Sequence, residues 1–241
     1  MEFYIITGDA YHFDMDHNGF PALTPDNVRR IDFLIEYDSK YNFNRIKELI
    51  QRHKKTQINN EILEIVKLID IQNSTHQASQ GKNGDGGREK TANAIYKIDD
   101  FYTRLEKGDP KLVNEIAKEA IEGRYTFSFA SKYCTYVARY TFDGAAADNY
   151  SIYDKVICNI LPYYAWYYTG TGEYNKKDSI AKKFGKKDHG DYEGYRDLID
   201  KIRDASEKRT GYHISREDFD HLLWYYFKGH PEEVTKALDL I

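Results

Sequence analysis

Apolar residues recur at helical spacing along most of this 241-residue chain. Side chains three and four positions apart share one face of an α-helix, whereas a half-buried strand alternates apolar and polar residues. Such alternation is confined to the N-terminal residues. The helical stripes cover residues 28–35, 43–50, 58–69, 91–105, 112–121, 152–168 and 219–227. We therefore predict an all-α or nearly all-α multi-helix fold with a short irregular or strand-like N-terminus.

Capping residues mark the start of two of these helices. Thr24 offers a capping hydroxyl, Pro25 takes the first helical position, and Asp26 lies at the positive end of the helix dipole. Near the C-terminus, Ser215 and Asp218 have the spacing of a capping box. We expect helices to begin at both places.

A polar, glycine-rich stretch interrupts the helical pattern after the third stripe. Residues 72–89 show no apolar period, and this composition is typical of an exposed connection. We accordingly predict three parts of the chain: an N-terminal helical segment over 1–75, a flexible glycine-rich loop over 76–90, and a helical domain over 91–241.

Composition and charge limit the compartment and the partners. With 41% hydrophobic and 31% charged residues, the chain is typical of a globular protein with a sizeable core. It has no apolar run of roughly 18 residues and no signal-peptide pattern, which predicts a cytoplasmic protein without membrane contact. Two cysteines fit a reducing compartment. The net charge of −4 argues against a strongly basic nucleic-acid-binding domain but allows a local basic face.

The N-terminal acids match a calcium-binding loop only in part. Asp14, Asp16, Asn18 and Gly19 have the opening spacing of an EF-hand loop. The twelfth position of that loop requires a bidentate glutamate, and here it is Pro25. We interpret the segment as a polar turn leading into the first helix, and we predict no metal site and no cofactor.

The residues best suited to chemistry lie between 125 and 160. Lys132 stands in a strongly apolar, aromatic stretch, so its side chain either reaches the surface or is desolvated. A desolvated lysine can present a neutral amine, which is a competent nucleophile. Asp154 opens the next helix, where the helix dipole favours a carboxylate. Cys134, on the same apolar helix as Lys132, is predicted to be a buried structural thiol.

This order of lysine, loop and aspartate resembles the catalytic segment of the helix-hairpin-helix DNA glycosylases, the relatives of endonuclease III and 8-oxoguanine glycosylase. The matching residues are SKYCTYVARY around Lys132 and YSIYDKVI around Asp154. The resemblance implies an orthogonal helical bundle over 91–241 and a role in DNA repair. It also implies base excision with abasic-site lyase chemistry. Lys132 would attack C1′ of a flipped nucleotide, and Asp154 would stabilise the developing positive charge.

A lysine-rich segment is the candidate for DNA contact. Its basic residues are Lys176, Lys177, Lys182, Lys183, Lys186 and Lys187. With glycines nearby, they indicate a flexible basic loop that could follow a phosphate backbone. A solvated surface without a partner is the other interpretation of such a charge run.

A second function stays open at this point. Residues 125–131, just before Lys132, contain neither glycine nor proline, whereas the family holds DNA phosphate there with a glycine-containing hairpin. The alternative is a non-catalytic helical binding or interaction protein that retains the fold.

Overall fold

The computed structural model describes residues 12–37, 43–56, 59–73, 75, 77, 86–120, 125–174, 176, 178–185 and 189–241. Over these residues the chain is helical, with isolated bridges between Met15 and Pro21 and between Gly185 and Gly190 as its only extended pairing. The predicted all-α multi-helix fold is confirmed. The helices are α1 Pro25–Tyr37, α2 Phe43–Thr56, α3 Asn59–Asn73, α4 Gly86–Tyr96, α5 Phe101–Glu106, α6 Pro110–Glu119, α7 Phe127–Thr141, α8 Lys155–Thr169, α9 Ser179–Phe184, α10 Tyr192–Thr210, α11 Arg216–Gly229 and α12 Pro231–Leu238.

The helix starts follow the predicted caps. The Ser215 hydroxyl accepts the Asp218 amide at 3.0 Å at the start of α11. At the start of α1, the Thr24 hydroxyl accepts the Asn27 amide at 3.4 Å. Residues 12–24 are irregular apart from the Met15–Pro21 bridge, and residues 1–11 of the predicted strand-like N-terminus lie outside the described part.

The helix predicted over 91–105 is interrupted in the structure. Helix α4 ends at Tyr96 and α5 begins at Phe101, and Asp100 between them adopts the left-handed conformation with φ 52°. Aspartate is one of the few residues besides glycine that reaches this region at modest cost. Helix α4 also begins at Gly86, inside the stretch predicted as a loop, and most of the rest of that loop lies outside the described residues.

The chain divides into two compact units, each built from separate stretches. Unit 1 comprises Met1–Asp38, Asp154–Lys183 and Gly194–Ile241, and unit 2 comprises Ser39–Tyr153 and Phe184–Glu193. The helices on both sides of the glycine-rich stretch therefore lie in unit 2. The segment boundaries at 75 and 90 stay a prediction.

Unit 2 is organised around helix α7. This helix packs against α2, α3, α5 and α6, and every residue from Phe129 to Ala138 is buried. Because neighbours surround it, polar as well as apolar side chains of α7 lie in the interior.

Unit 1 is organised around the tyrosines of helix α8. Helix α8 packs against α11 and α12, and α1 packs against α11. The Tyr164 hydroxyl donates to the Pro21 carbonyl at 2.7 Å, and the Tyr168 hydroxyl accepts the Leu23 amide at 3.1 Å. Tyrosine thus fills this core with its ring while its hydroxyl satisfies a backbone group.

Within the described residues, no helix is both long enough and apolar enough to cross a membrane.

Replacing Gly190 by alanine is expected to destabilise the protein by about 1–3 kcal/mol, because the new methyl group would overlap a buried ring. A Cβ at this position would lie 2.7 Å from Cε2 of Phe127, whose side chain is only 4% exposed. Urea unfolding should show the loss. Gly229→Ala is the matched control, since nothing lies within 4 Å of a Cβ there. Equal stability of the two variants would contradict the packing described.

The buried tyrosines predict cooperative alkaline unfolding. Burial raises the pKa of the Tyr133 and Tyr164 phenols well above their ordinary value, and raises that of Tyr226 to about 12. Below about pH 10 these phenols are protonated in both states, so their contribution to stability is complete. Above that pH the unfolded chain releases protons that the folded protein retains. The free energy of unfolding then falls by up to about 1.4 kcal/mol per pH unit for each tyrosine.

Circular dichroism and tyrosinate absorbance should be recorded together from about pH 9 to 13, around the ordinary tyrosine pKa. The last tyrosines should ionise only as the helical signal is lost. Complete ionisation with the helical signal intact would contradict this account.

Candidate functional site

Lys132 lies in the buried first half of α7. Its side chain is 4% exposed, so of the two alternatives left by the sequence, the desolvated lysine is the one observed. Its Nζ donates a hydrogen bond to the Ser128 hydroxyl, one helical turn earlier, at 3.2 Å. This hydrogen bond links the amine to the preceding turn of the same helix.

A backbone hydrogen bond joins the residue just before α7 to helix α6. The Thr126 amide donates to the Ala117 carbonyl on α6 at 2.8 Å, and α6 and α7 pack against each other. Residues 121–124 of this connection lie outside the described part.

Ser131, beside Lys132, ties the chain that follows α7 back to this helix. Its hydroxyl accepts the Tyr153 amide at 3.0 Å and donates to the Ser128 carbonyl at 3.1 Å. The Tyr153 ring also packs on Phe127, with 4.6 Å between the ring centroids. The last residue of this stretch of unit 2 is thus fixed next to the start of α7.

Tyr192 also holds residues 150–153, the stretch that ends at Tyr153. The Tyr192 hydroxyl accepts the Ser151 amide and donates to the Ser151 carbonyl, both at 2.8 Å. Tyr192 is fully buried, and its ring packs edge-on against Phe127. This double contact makes residues 150–153 a rigid part of unit 2.

Asp154 caps helix α8, as predicted from its position. Its Oδ1 accepts the Val156 amide at 2.8 Å, and its backbone is extended. A carboxylate here is stabilised by the positive end of the helix dipole. Lys132 belongs to unit 2, whereas Asp154 opens the second stretch of unit 1, so the pairing of the two residues stays a prediction.

Cys134 is a structural residue. Its side chain is fully buried on α7, and this burial raises the pKa of the thiol far above its ordinary value. A protonated thiol is a poor nucleophile, so the predicted structural role is confirmed.

The lysine-rich segment is only partly described. Lys176, Lys182 and Lys183 are exposed in unit 1, whereas Lys177, Lys186 and Lys187 lie outside the described residues. Lys183 forms an ion pair with Glu173 at 3.0 Å, and this hydrogen bond lowers the pKa of the Glu173 carboxyl. Contact of these lysines with DNA stays a prediction.

The acids of the EF-hand-like spacing serve the fold of the N-terminal turn. Asp16 accepts the amides of Asn18 and Phe20 through Oδ1 and the Tyr163 hydroxyl through Oδ2, at 2.9, 3.0 and 2.6 Å. Asp14 accepts the hydroxyl of Thr24 at 3.0 Å. The predicted polar turn is confirmed. In the described part of the chain, no group of three or more His, Cys, Asp or Glu side chains is arranged to hold a metal ion.

The structure also shows a cavity in unit 2 that the sequence analysis did not identify. Its volume is about 510 Å³, and residues from α2 to α5 and from α7 line it. The lining includes His53, Asp100, Tyr102 and Tyr133. The cavity lies at the break between α4 and α5, where Asp100 is a lining residue. The apolar stripe continues across this break, so the sequence did not indicate it.

Comparison with known proteins gives one partial similarity. A family model described as the HI_0787_N N-terminal domain matches residues 28–141. The matched region runs from the first turn of α1 to the end of α7, so it contains Lys132 but not Asp154. No curated protein and no solved structure matches the chain. The chain is therefore similar to this domain family over slightly less than half of its length.

Proposed function

We propose that the protein is a DNA base-excision enzyme with abasic-site lyase chemistry, in which the Lys132 amine is the nucleophile. By the family resemblance, Asp154 is its acidic partner. The observation that carries the proposal is the burial of Lys132, which is 4% exposed within the aromatic helix α7.

Burial of this lysine favours a chemical role over a structural one. Lysine is among the side chains least often found fully buried, because removing its charge from water is costly. An apolar residue would fill the same space without that cost. A desolvated amine held beside a hydroxyl is instead suited to nucleophilic attack.

The proposed reaction has three steps: attack with loss of the base, opening of the sugar ring, and elimination. The nitrogen lone pair of Lys132 attacks C1′, the bond from C1′ to the base nitrogen breaks, and the base leaves with the bonding electrons and takes up a proton. A proton then passes from this nitrogen to the ring oxygen O4′ as the C1′–O4′ bond breaks, which opens the sugar ring and gives a protonated Schiff base between Lys132 and C1′. Loss of a proton from C2′ then expels the 3′ phosphate by elimination. Target bases must leave the stack to be reached.

Asp154 contributes electrostatic stabilisation in this scheme. Its carboxylate is fixed by the Val156 amide at the start of α8. A carboxylate positioned in advance stabilises positive charge as it develops on the sugar. The exposed lysines of the basic segment would contact the phosphates and make binding weaken as salt increases.

Borohydride trapping tests the nucleophile. The protein is incubated with single-stranded and duplex oligonucleotides that carry an abasic site, uracil or 8-oxoguanine, and the Schiff base is reduced to a stable adduct. Lys132→Met is expected to abolish the adduct, because methionine fills a similar space without an amine. The matched control is Lys111→Met, which removes an exposed lysine of α6 and should leave the adduct unchanged.

Two results would contradict the proposal. One is an adduct that persists in Lys132→Met. The other is a folded protein that forms no adduct and releases no base from any of these substrates. The second result would favour the non-catalytic binding protein.

Asp154→Asn tests the acidic partner without removing the helix cap. Asparagine caps helices about as well as aspartate, so the unfolding midpoint should stay nearly constant. The rate of base release is expected to fall by about a hundredfold or more, because the negative charge is lost. Single-turnover assays measure this rate. Unchanged base release in the folded variant would exclude Asp154 from the reaction.

A further inference from the structure

The cavity of unit 2 combines apolar walls with a small number of polar groups. Its volume of about 510 Å³ lies within the usual range for small-molecule sites. Ile62 and Ile95 form part of an aliphatic wall, and Tyr96 and Phe101 add aromatic rings. Tyr96 is 56% exposed, which is unusual for a ring of this size. A ligand could therefore bury both its own apolar surface and that of Tyr96.

The Tyr102 hydroxyl is a buried polar group that the fold leaves unsatisfied. Its oxygen is inaccessible to solvent and has no hydrogen-bond partner within the described residues. Burial, with a smaller effect from the charge of Glu61, raises the pKa of the Tyr102 phenol. The hydroxyl stays neutral, and Tyr102 adds an aromatic residue to the cavity wall.

Asp100, one of the lining residues, has a strained backbone. Its φ of 52° lies in the left-handed region, which aspartate reaches only at some cost. Although Asp100 is the N-cap residue of α5, its side chain makes no capping hydrogen bond. Strained residues of this kind cluster at binding sites. Asp100 is an exposed residue and is one of those that line the cavity.

The charges of the lining select the class of ligand. Among the described residues that line the cavity, Asp100 is acidic and none is lysine or arginine. Behind His53, the buried Glu61 carboxylate lies 3.7 Å from the imidazole Nδ1 and also pairs with Arg52. An anion would meet the carboxylate without a compensating cation, whereas aromatic rings and a carboxylate together attract an organic ammonium group.

We propose that this cavity binds a small organic amine in its protonated form. The ammonium group pairs with the Asp100 carboxylate, and the apolar body of the ligand packs on the isoleucines and aromatic rings. This site is separate from the chemistry assigned to Lys132, which is not among the lining residues.

Three probes with one phenyl body and different charges test the proposal. Benzylamine is cationic at neutral pH, benzyl alcohol is neutral, and benzoate is anionic. Ligand-observed NMR titrations of the full chain are expected to show binding in the order benzylamine, benzyl alcohol, benzoate. Benzylamine should bind at least about fivefold more tightly than benzyl alcohol, the size expected for one partly desolvated ion pair.

Matched variants then locate the cation. Asp100→Asn should weaken benzylamine binding about fivefold and leave benzyl alcohol unchanged, since asparagine also tolerates the left-handed conformation. Asp99→Asn, which changes an adjacent exposed carboxylate outside the lining, should have no effect. Three results would overturn the proposal: no benzylamine binding at millimolar concentration, benzoate or benzyl alcohol binding as tightly as benzylamine, or equal effects of the two variants.

Discussion

Helix α7 packs against α2, α3, α5 and α6, and this burial determines where every polar group on the helix must find a partner. The Thr135 hydroxyl donates to the Ser131 carbonyl at 2.9 Å, and the Tyr136 hydroxyl donates to Asn73 at 3.2 Å. Lys132 contacts Ser128 in the same way, on its own helix. Because an unsatisfied polar group in such an interior is costly, each of these contacts stabilises unit 2.

The Ser131 hydroxyl extends this constraint to the chain beyond α7. By accepting the Tyr153 amide, it fixes the stretch that leads to Asp154 and helix α8. Tyr192 secures the same stretch through Ser151, although it is far away in the sequence. Lys132, the proposed nucleophile, is therefore carried on a helix that hydrogen bonds hold at several points. Such support keeps reactive groups in place without relying on a mobile loop.

The helices and their caps were predictable because they depend on local spacing, as the stripe from Val28 and the cap at Ser215 show. The interruption at Asp100 was not, because apolar residues continue in phase through Ile98 and Phe101 on either side of it. The sequence also left two positions open for Lys132, since a stripe does not reveal that neighbours surround α7. The cavity could not be predicted from the sequence, because the residues that line it come from five helices and a turn that are far apart in the chain.

Peptide mapping of a borohydride-trapped complex tests the central claim most directly, because it identifies the nitrogen that carries the sugar. The wild-type protein, trapped on an abasic oligonucleotide and digested, is analysed by mass spectrometry. The account predicts that the reduced deoxyribose fragment is attached to Lys132 alone, despite the far greater exposure of Lys176 and Lys182. Attachment to exposed lysines, with Lys132 unmodified, would contradict it.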